Sequence, residues 1–224
     1  MRLALVGGTG DQGFGLALRF AAAGHEVVIG SREEERALKA AERAMELLSE
    51  HGYEDATVEG KENEEAVSDA DVVLLTVPFF AVIETVRGLR DALPDDAIIV
   101  DVTVPLETAI GGRPTRTITP WEGSAAETVQ SLVEQPVVSA FENVSAELLR
   151  ELDREVECDV VVCSDDEDAK RTVMELAEDI PGVRAIDGGP LANARIVESI
   201  TALLIGLNQR YGKKGIGIRF TGIE

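Results

Sequence analysis

The chain has 224 residues, of which 45% are hydrophobic and 28% charged, a balance that excludes disordered and fibrous proteins. This length fits one large globular domain or a domain with a small partner. Its 42 acidic and 21 basic residues give a net charge of −21, which disfavours binding to nucleic acids and anionic membranes. This acidity has two alternative interpretations. It provides solubility, or it is an adaptation to a salt-rich cytosol in which ions screen self-repulsion. Both interpretations stay open.

No segment of the sequence predicts export or membrane insertion. The apolar run at residues 3–6 is too short for a signal peptide, and the run at residues 72–83 is too short to cross a bilayer. Cys158 and Cys163 lie five residues apart in another apolar run, a spacing that puts them on opposite faces of a strand. We therefore expect a cytoplasmic protein with two buried free thiols and no metal site.

Strand and helix patterns alternate along the whole chain. The predicted strands are residues 3–6, 26–29, 57–59, 72–76, 97–102, 137–140, 158–163 and 184–186. The predicted helices are residues 13–23, 33–48, 79–93, 124–133, 145–152, 166–178 and 191–211. Such alternation predicts an α/β fold of Rossmann type, with a doubly wound and mostly parallel sheet. We expect a first domain over residues 1–145 and a small C-terminal α/β extension over residues 146–224, ending in a long helix.

A glycine-rich loop joins the first predicted strand to the first predicted helix. Its glycines, Gly8, Gly10 and Gly13, have the G-x-G-x-x-G spacing, with a strand before and a helix after. This spacing allows a tight turn, a close approach of the backbone to a pyrophosphate and close packing of the helix on the strand. We therefore predict a dinucleotide site at this loop. The residues between these glycines, which belong to the same site, are Thr9, Asp11 and Gln12.

The end of the second predicted strand indicates which dinucleotide binds. An acidic residue there would bind the ribose of NAD, whereas this chain has Ser31 and Arg32. The Arg32 fork suits a 2′-phosphate, and Arg36 adds a second charge one helical turn later. Three glutamates follow at residues 33–35, where they can face solvent at the start of a helix. We therefore predict NADP rather than NAD.

The sequence offers few residues for acid–base catalysis. His25 lies in a turn and His51 ends a charged helix, so we expect both on the surface. Lys170 follows a run of acidic residues, and we expect it on a solvated face. No Tyr-x-x-x-Lys or Ser-x-x-x-Lys pair follows a strand. We therefore assign no catalytic residue, and expect hydride transfer in which the protein mainly positions two reactants.

Polar residues follow the buried strands, where ligands collect in open α/β sheets. The segments are residues 76–78, 101–105, 141–144 and 193–195, and Pro78 would stiffen the wall beside a nicotinamide ring. Asn193 and Arg195 open the last predicted helix. Two interpretations of Arg195 stay open: an ion pair with Glu198 at i,i+3 spacing, or a contact to an anionic ligand.

Six short segments together resemble the NADPH-dependent coenzyme F-420 reductases of archaea. They are GGTGDQG at residues 7–13, GLALR at 15–19, VIGSR at 28–32, LTVP at 75–78, GSAAE at 123–127 and NARIVE at 193–198. The resemblance covers residues 1 to about 205, nearly the whole chain. It implies hydride transfer between NADP(H) and the deazaflavin ring of coenzyme F-420 as co-substrate.

The same resemblance implies roles for individual residues. Thr9, Ser31, Arg32 and Arg36 would hold the 2′-phosphate side of NADP. The nicotinamide end would be lined by Thr76, Val77 and Pro78, and the deazaflavin would be covered by Ala140, Asn143, Val144, Asn193 and Arg195 together with the C-terminal extension. We also expect Val102 among the cofactor-binding residues. Some relatives carry His where this chain has Glu142, so we assign Glu142 no role. We also expect a homodimer or a higher homo-oligomer.

Two other functions stay open. One is an NADP-dependent reductase or dehydrogenase of a small imine or hydroxy acid, which would need a proton donor. The other is a module that senses NADP without turnover. Bound dinucleotide without catalysis would favour the second of these.

Overall fold

A six-stranded parallel sheet forms the centre of the protein in a computed structural model that describes residues 1–223. The strands of this sheet are β1 (Arg2–Val6), β2 (Glu26–Ser31), β3 (Thr57–Glu62), β4 (Val72–Leu75), β5 (Ile98–Asp101) and β6 (Val137–Ser139). Their order across the sheet is β3-β2-β1-β4-β5-β6, and every neighbouring pair is parallel. This order reverses between β1 and β4, which opens a crevice at the carboxyl ends of these two strands. The predicted Rossmann-type fold is confirmed.

Helices cover both faces of the sheet. They are α1 (Asp11–Ala22), α2 (Glu34–Glu50), α3 (Asn63–Val67), α4 (Phe79–Leu89), α5 (Ala125–Gln130) and α6 (Ala146–Arg150). Alternate residues of β1 enter two different cores: Leu3 and Leu5 pack with α1 and α2, whereas Ala4 and Val6 pack with α3 and α4. Strands buried on both faces explain the continuous apolar runs in the sequence.

Two differences from the predicted elements have local causes. The five-residue helix α3 was not predicted, because a helix this short shows no repeating apolar pattern. Helix α4 ends at Leu89, four residues before its predicted end. The chain instead turns there, with the Ala92 N–H donating to the Leu89 carbonyl, and Pro94 follows.

The C-terminal part adds a smaller parallel pair of strands. Strands β7 (Cys158–Val162) and β8 (Val183–Asp187) flank helix α7 (Glu167–Glu178), and the long helix α8 (Ala194–Tyr211) follows. A short antiparallel bridge between Ser139 and Cys163 connects this pair to β6. Both cysteines are buried free thiols, and they enter different hydrophobic clusters, as predicted. None of the helices in residues 1–223 is long and apolar enough to cross a membrane.

Arg19 fastens helix α6 to helix α1. This arginine is 2% exposed, and its Nε donates to the Leu149 carbonyl at 2.9 Å. Its Nη2 donates to the carbonyls of Leu148, Glu151 and Arg154 at 2.6 to 2.9 Å. The last carbonyls of a helix lack partners within the helix, so one buried guanidinium satisfies both the end of α6 and the turn after it. The chain immediately after residue 145 is therefore held against the first helix of the protein.

We predict that Arg19→Met lowers the free energy of unfolding by about 3 kcal/mol or more, because several buried carbonyls would lose a charged donor. Urea unfolding followed by circular dichroism measures the change. The matched control is Arg171→Met, which removes an ion pair with Asp168 from a side chain that is 67% exposed. We expect the control to cost about 0.5 kcal/mol or less. Equal losses in the two variants would contradict the proposed role of Arg19.

Candidate functional site

The glycine loop follows β1 and leads directly into α1. Gly7 has a φ of +76°, a left-handed conformation that turns the chain away from the strand. A Cβ atom on Gly13 would collide with the Thr76 hydroxyl and lie 2.7 Å from the Gly8 Cα atom, so only glycine lets α1 approach the sheet this closely. Thr9, Gly10 and Asp11 are exposed at the first turn of α1, where no side chain caps the free N–H groups. This arrangement suits a pyrophosphate.

The end of β2 presents basic side chains beside this loop. Ser31 is buried, and its hydroxyl accepts a hydrogen bond from the Glu33 N–H at 3.2 Å. Arg32 is exposed and forms no ion pair with any residue that the structure describes. Arg36 is also exposed, with its Nε 3.4 Å from a carboxylate oxygen of Glu33. The end of the strand thus carries a guanidinium without an ion-pair partner in residues 1–223, where an NAD site would carry a carboxylate.

The loop after β4 completes the crevice. The Thr76 hydroxyl donates to the Val6 carbonyl at 2.9 Å, which joins the ends of β4 and β1. Val77 packs against Gly7, and the Val102 N–H donates to the Leu75 carbonyl at 3.3 Å. The structure therefore brings the glycine loop, Thr76, Val77 and Val102 to one edge of the sheet. Pro78 lies exposed beside them at the start of α4.

The segment after β6 reaches the glycine loop through its backbone. The Gln12 side chain donates to the Phe141 carbonyl at 3.1 Å. Phe141 has a φ of +70° and is the only residue other than glycine with a positive φ in the described chain. Its buried ring packs edge-on against Phe20, with 5.8 Å between ring centres, and this packing holds the strained conformation. Strained backbone conformations of this kind cluster at active sites and ligand-binding segments.

Three residues after β6 that were predicted to cover the deazaflavin are buried. Ala140 is fully buried, and Val144 and Asn143 are 5% and 4% exposed. The Asn143 side-chain amide donates to the Asp159 carbonyl at 2.7 Å. These three residues lie beside the crevice but present almost no side-chain surface to it. Their contact with a ligand stays a prediction.

Helix α8 closes the far side of this region. The Asn193 side chain donates to the Gly188 carbonyl at 2.7 Å, and Arg195 is exposed two residues later. Glu198 is only 2% exposed, and its carboxylate accepts the Ala125 N–H at 2.9 Å. The possible ion pair between Arg195 and Glu198 is therefore wrong, because Glu198 turns inward to cap α5. The Arg195 guanidinium remains available to an anion.

Three buried carboxyl groups lie near the crevice, and the sequence alone assigned none of them a functional role. Asp101, Glu142 and Glu198 are 1%, 6% and 2% exposed. Burial raises the pKa of Asp101 to about 7, that of Glu142 to about 8 and that of Glu198 to about 9. Repulsion between the carboxylates adds to the last two shifts. Groups that hold a proton near neutral pH are candidates for functional roles.

The sequence contains a signal for the first of these acids. Asp101 ends β5, whose other residues are the apolar Ile98, Ile99 and Val100. A charged residue at the carboxyl end of such a strand is expensive to bury and lies where ligands bind. Residues 101–105 were accordingly among the polar segments expected near a ligand, but the burial of Asp101 becomes evident only in the folded structure.

Lys170 and His25, two basic residues outside the crevice, have structural partners. Lys170 is not on a solvated face, as we expected, because its side chain is only 5% exposed. Its ammonium lies 2.9 Å from Glu167 and 3.0 Å from Asp187, a partner that β8 supplies from a distant part of the sequence. His25 is also more enclosed than expected, at 12% exposure, and contacts Asp179. Within residues 1–223, no group of three potential ligands could hold a metal ion.

Comparisons with known proteins agree with this geometry. Residues 2–105 match the family described as NADP oxidoreductase, coenzyme F-420-dependent. The F-420-dependent NADP reductase of Methanocaldococcus jannaschii is 50% identical, and the alignment covers 100% of both chains. The chain belongs to this family. The F-420-dependent NADP reductase of Methanothermobacter thermautotrophicus is 49% identical over 100% of this chain and 96% of its own length.

A solved structure shows that the similarity within the family extends to the C-terminal part. A putative F-420-dependent NADP reductase from an Arthrobacter species superposes with a TM-score of 0.78 at 25% identity, covering 99% of both chains. The small strand pair and α8 therefore belong to the fold of this family member as well. The family resemblance stated from the six sequence segments is confirmed.

Proposed function

We propose that this protein transfers a hydride between NADP(H) and the deazaflavin ring of coenzyme F-420. The observation that carries the proposal is the identity of 50% with a reductase of this name over the full length of both chains. The crevice supports it, because the glycine loop and the exposed Arg32 at the end of β2 suit NADP.

Different residues of the crevice would bind different parts of NADP(H). The free N–H groups of α1 would hold the pyrophosphate, and Ser31, Arg32 and Arg36 would hold the 2′-phosphate. Thr76, Val77, Pro78 and Val102 would orient the nicotinamide ring at the sheet edge. When bound, NADPH supplies the hydride, so the protein has only to align the two rings and exclude water.

We assign the covering of the deazaflavin to residues 146–224 together with the strained segment before them. Arg195 supports this assignment, because its exposed guanidinium opens α8 beside the crevice and can attract the anionic tail of a ligand. The Thr201 hydroxyl donates to the Glu142 carbonyl at 2.9 Å and fixes α8 to that segment.

The purified protein should reduce oxidised coenzyme F-420 with NADPH, which the loss of deazaflavin absorbance measures directly. In parallel, the protein is offered NADPH with a panel of small imines, ketones and hydroxy acids, and we expect no turnover. Turnover of the panel without deazaflavin reduction would favour the small-substrate reductase. Tight NADPH binding with neither reaction would favour a sensing module.

Arg32→Ala should weaken NADPH binding roughly 10- to 100-fold, because one charge-assisted contact to phosphate contributes about 1.5–3 kcal/mol. NADH lacks the 2′-phosphate, so its weaker binding should change little. Fluorescence titration of the variant with both cofactors makes this comparison within one protein. Equal losses for NADPH and NADH would remove the assignment of Arg32.

We further propose that α8 forms the contact between two copies of this chain. Ile196 and Leu203 lie seven residues apart on one helix face and are 59% and 58% exposed. Ile200 and Leu207 share this face and are partly exposed. An apolar stripe on an otherwise very acidic protein favours self-association through that stripe.

Leu203→Glu should therefore convert a particle of about twice 24.0 kDa into a monomer, because the stripe of two copies would then bring like charges together. Light scattering after size-exclusion chromatography measures the mass. Leu38→Glu on α2, at a side chain that is 46% exposed, is the matched control and should leave the mass unchanged. A monomeric unmodified protein would refute the proposed contact.

A further inference from the structure

Asp101 at the end of β5 and Glu142 just after β6 are buried carboxyl groups close enough to repel each other. Asp101 pairs with Ser139 in the parallel register, so these two side chains lie on the same face of the sheet. The Ser139 hydroxyl donates to Glu142 Oε1, which brings the Glu142 carboxyl to the same place. Asp101 Oδ1 accepts the Thr103 N–H at 3.2 Å. The remaining oxygens, Asp101 Oδ2 and Glu142 Oε2, are buried and have no hydrogen-bond partner.

The titratable groups that act on this pair are acidic or neutral, and Lys170 of α7, which lies near Cys163, is paired with Glu167 and Asp187. Helix α8 contributes Glu198, and the chain after β7 contributes Cys163, whose pKa burial raises to about 12 so that the thiol stays neutral. No basic side chain of residues 1–223 forms an ion pair with Asp101 or Glu142. Two ionised carboxylates without a counter-charge repel strongly in a buried site, so the pair retains a proton near neutral pH.

The pair adjoins the proposed position of the nicotinamide ring. Val102, directly after Asp101, donates to the end of β4 at 3.3 Å, where Thr76 begins the nicotinamide wall. Phe141, directly before Glu142, accepts from Gln12 of the glycine loop. The oxidised nicotinamide ring carries a positive charge, whereas the reduced ring is neutral. A buried pair that can release a proton therefore responds to one redox form of the cofactor and not to the other.

We propose that Asp101 and Glu142 form a proton-sharing pair that distinguishes NADP⁺ from NADPH by releasing a proton when the positively charged ring binds. The inference rests on the NADP site of the proposed function. The released proton goes to solvent, and no covalent bond to the cofactor forms or breaks.

Because release is linked to binding, the affinity for NADP⁺ increases with pH by up to about tenfold per pH unit. The affinity for NADPH lacks this increase, so alkaline conditions favour the oxidised cofactor. Both acids are positioning residues in this scheme.

Calorimetric titration of the whole protein at about pH 7, in buffers of different ionisation enthalpy, counts the protons released on binding. We expect NADP⁺ to release up to one proton more per site than NADPH. The 2′-phosphate also titrates, but both cofactors carry it, so its contribution cancels in the difference. The double variant Asp101→Asn with Glu142→Gln should abolish the difference and weaken NADP⁺ binding more than NADPH binding. Glu84→Gln, at an exposed acid on α4, is the control and should preserve the difference.

Equal proton counts for the two cofactors in the unmodified protein would overturn the proposal, as would a difference that persists in the double variant. If the double variant does not fold, the test uses the unmodified protein and the ratio of its dissociation constants for NADP⁺ and NADPH. That ratio must shift toward NADP⁺ between about pH 6 and about pH 9, and a constant ratio overturns the proposal. Deazaflavin reduction with equal proton counts rejects only the carboxyl pair. Failure to bind either cofactor rejects the NADP site and this inference together.

Discussion

The close approach of helix α1 to the end of β4 is the constraint on which the crevice depends. Gly13 has no side chain, so the helix can lie against Thr76 and the turn at Gly8. The Thr76 hydroxyl then donates to the Val6 carbonyl and fixes the end of β4 beside the end of β1. With both ends fixed, the uncapped N-terminus of α1 lies at the carboxyl end of β1, where the strand order reverses. A methyl group at position 13 would separate these parts.

Electrostatics in this protein act in opposite directions at long and short range. A net charge of −21 repels an anionic cofactor from a distance. Near the crevice, Arg32 and Arg195 are exposed without ion-pair partners in the described chain. They place positive charge at the site although the net charge of the chain is strongly negative. Dissolved salt screens the long-range repulsion more than it screens direct contacts. The few basic groups thus have most effect where a ligand touches them.

Buried polar contacts connect the C-terminal end of the chain to the site. The carboxylate of Asp159 is fully buried and bonds to Arg184, Arg219 and the Phe220 N–H. Burial raises the pKa of Asp159, but these three partners outweigh burial and hold it at about 2. The carbonyl of the same residue accepts the Asn143 amide from the segment beside the crevice. One ionised, fully paired residue therefore fixes both the tail and a wall of the site, in contrast to the unpaired acids nearby.

Local order along the chain is sufficient to predict several features of this protein. Alternating apolar runs predicted the parallel sheet, the glycine spacing located the loop at Gly8, Gly10 and Gly13, and Arg32 at the end of β2 indicated NADP. Family membership could also be read from six short segments, because each keeps its residues in a fixed order.

The pairing of charged groups that are far apart in the sequence depends on the assembled fold. Glu198 caps α5 instead of binding its helical neighbour Arg195, and Lys170 is buried because β8 supplies Asp187. Arg19 binds carbonyls about 130 residues away. Asp101 and Glu142 become neighbours only when β5 and β6 pair in register. Burial and charge pairing depend on distances in space, and these distances exist only after the strands have assembled.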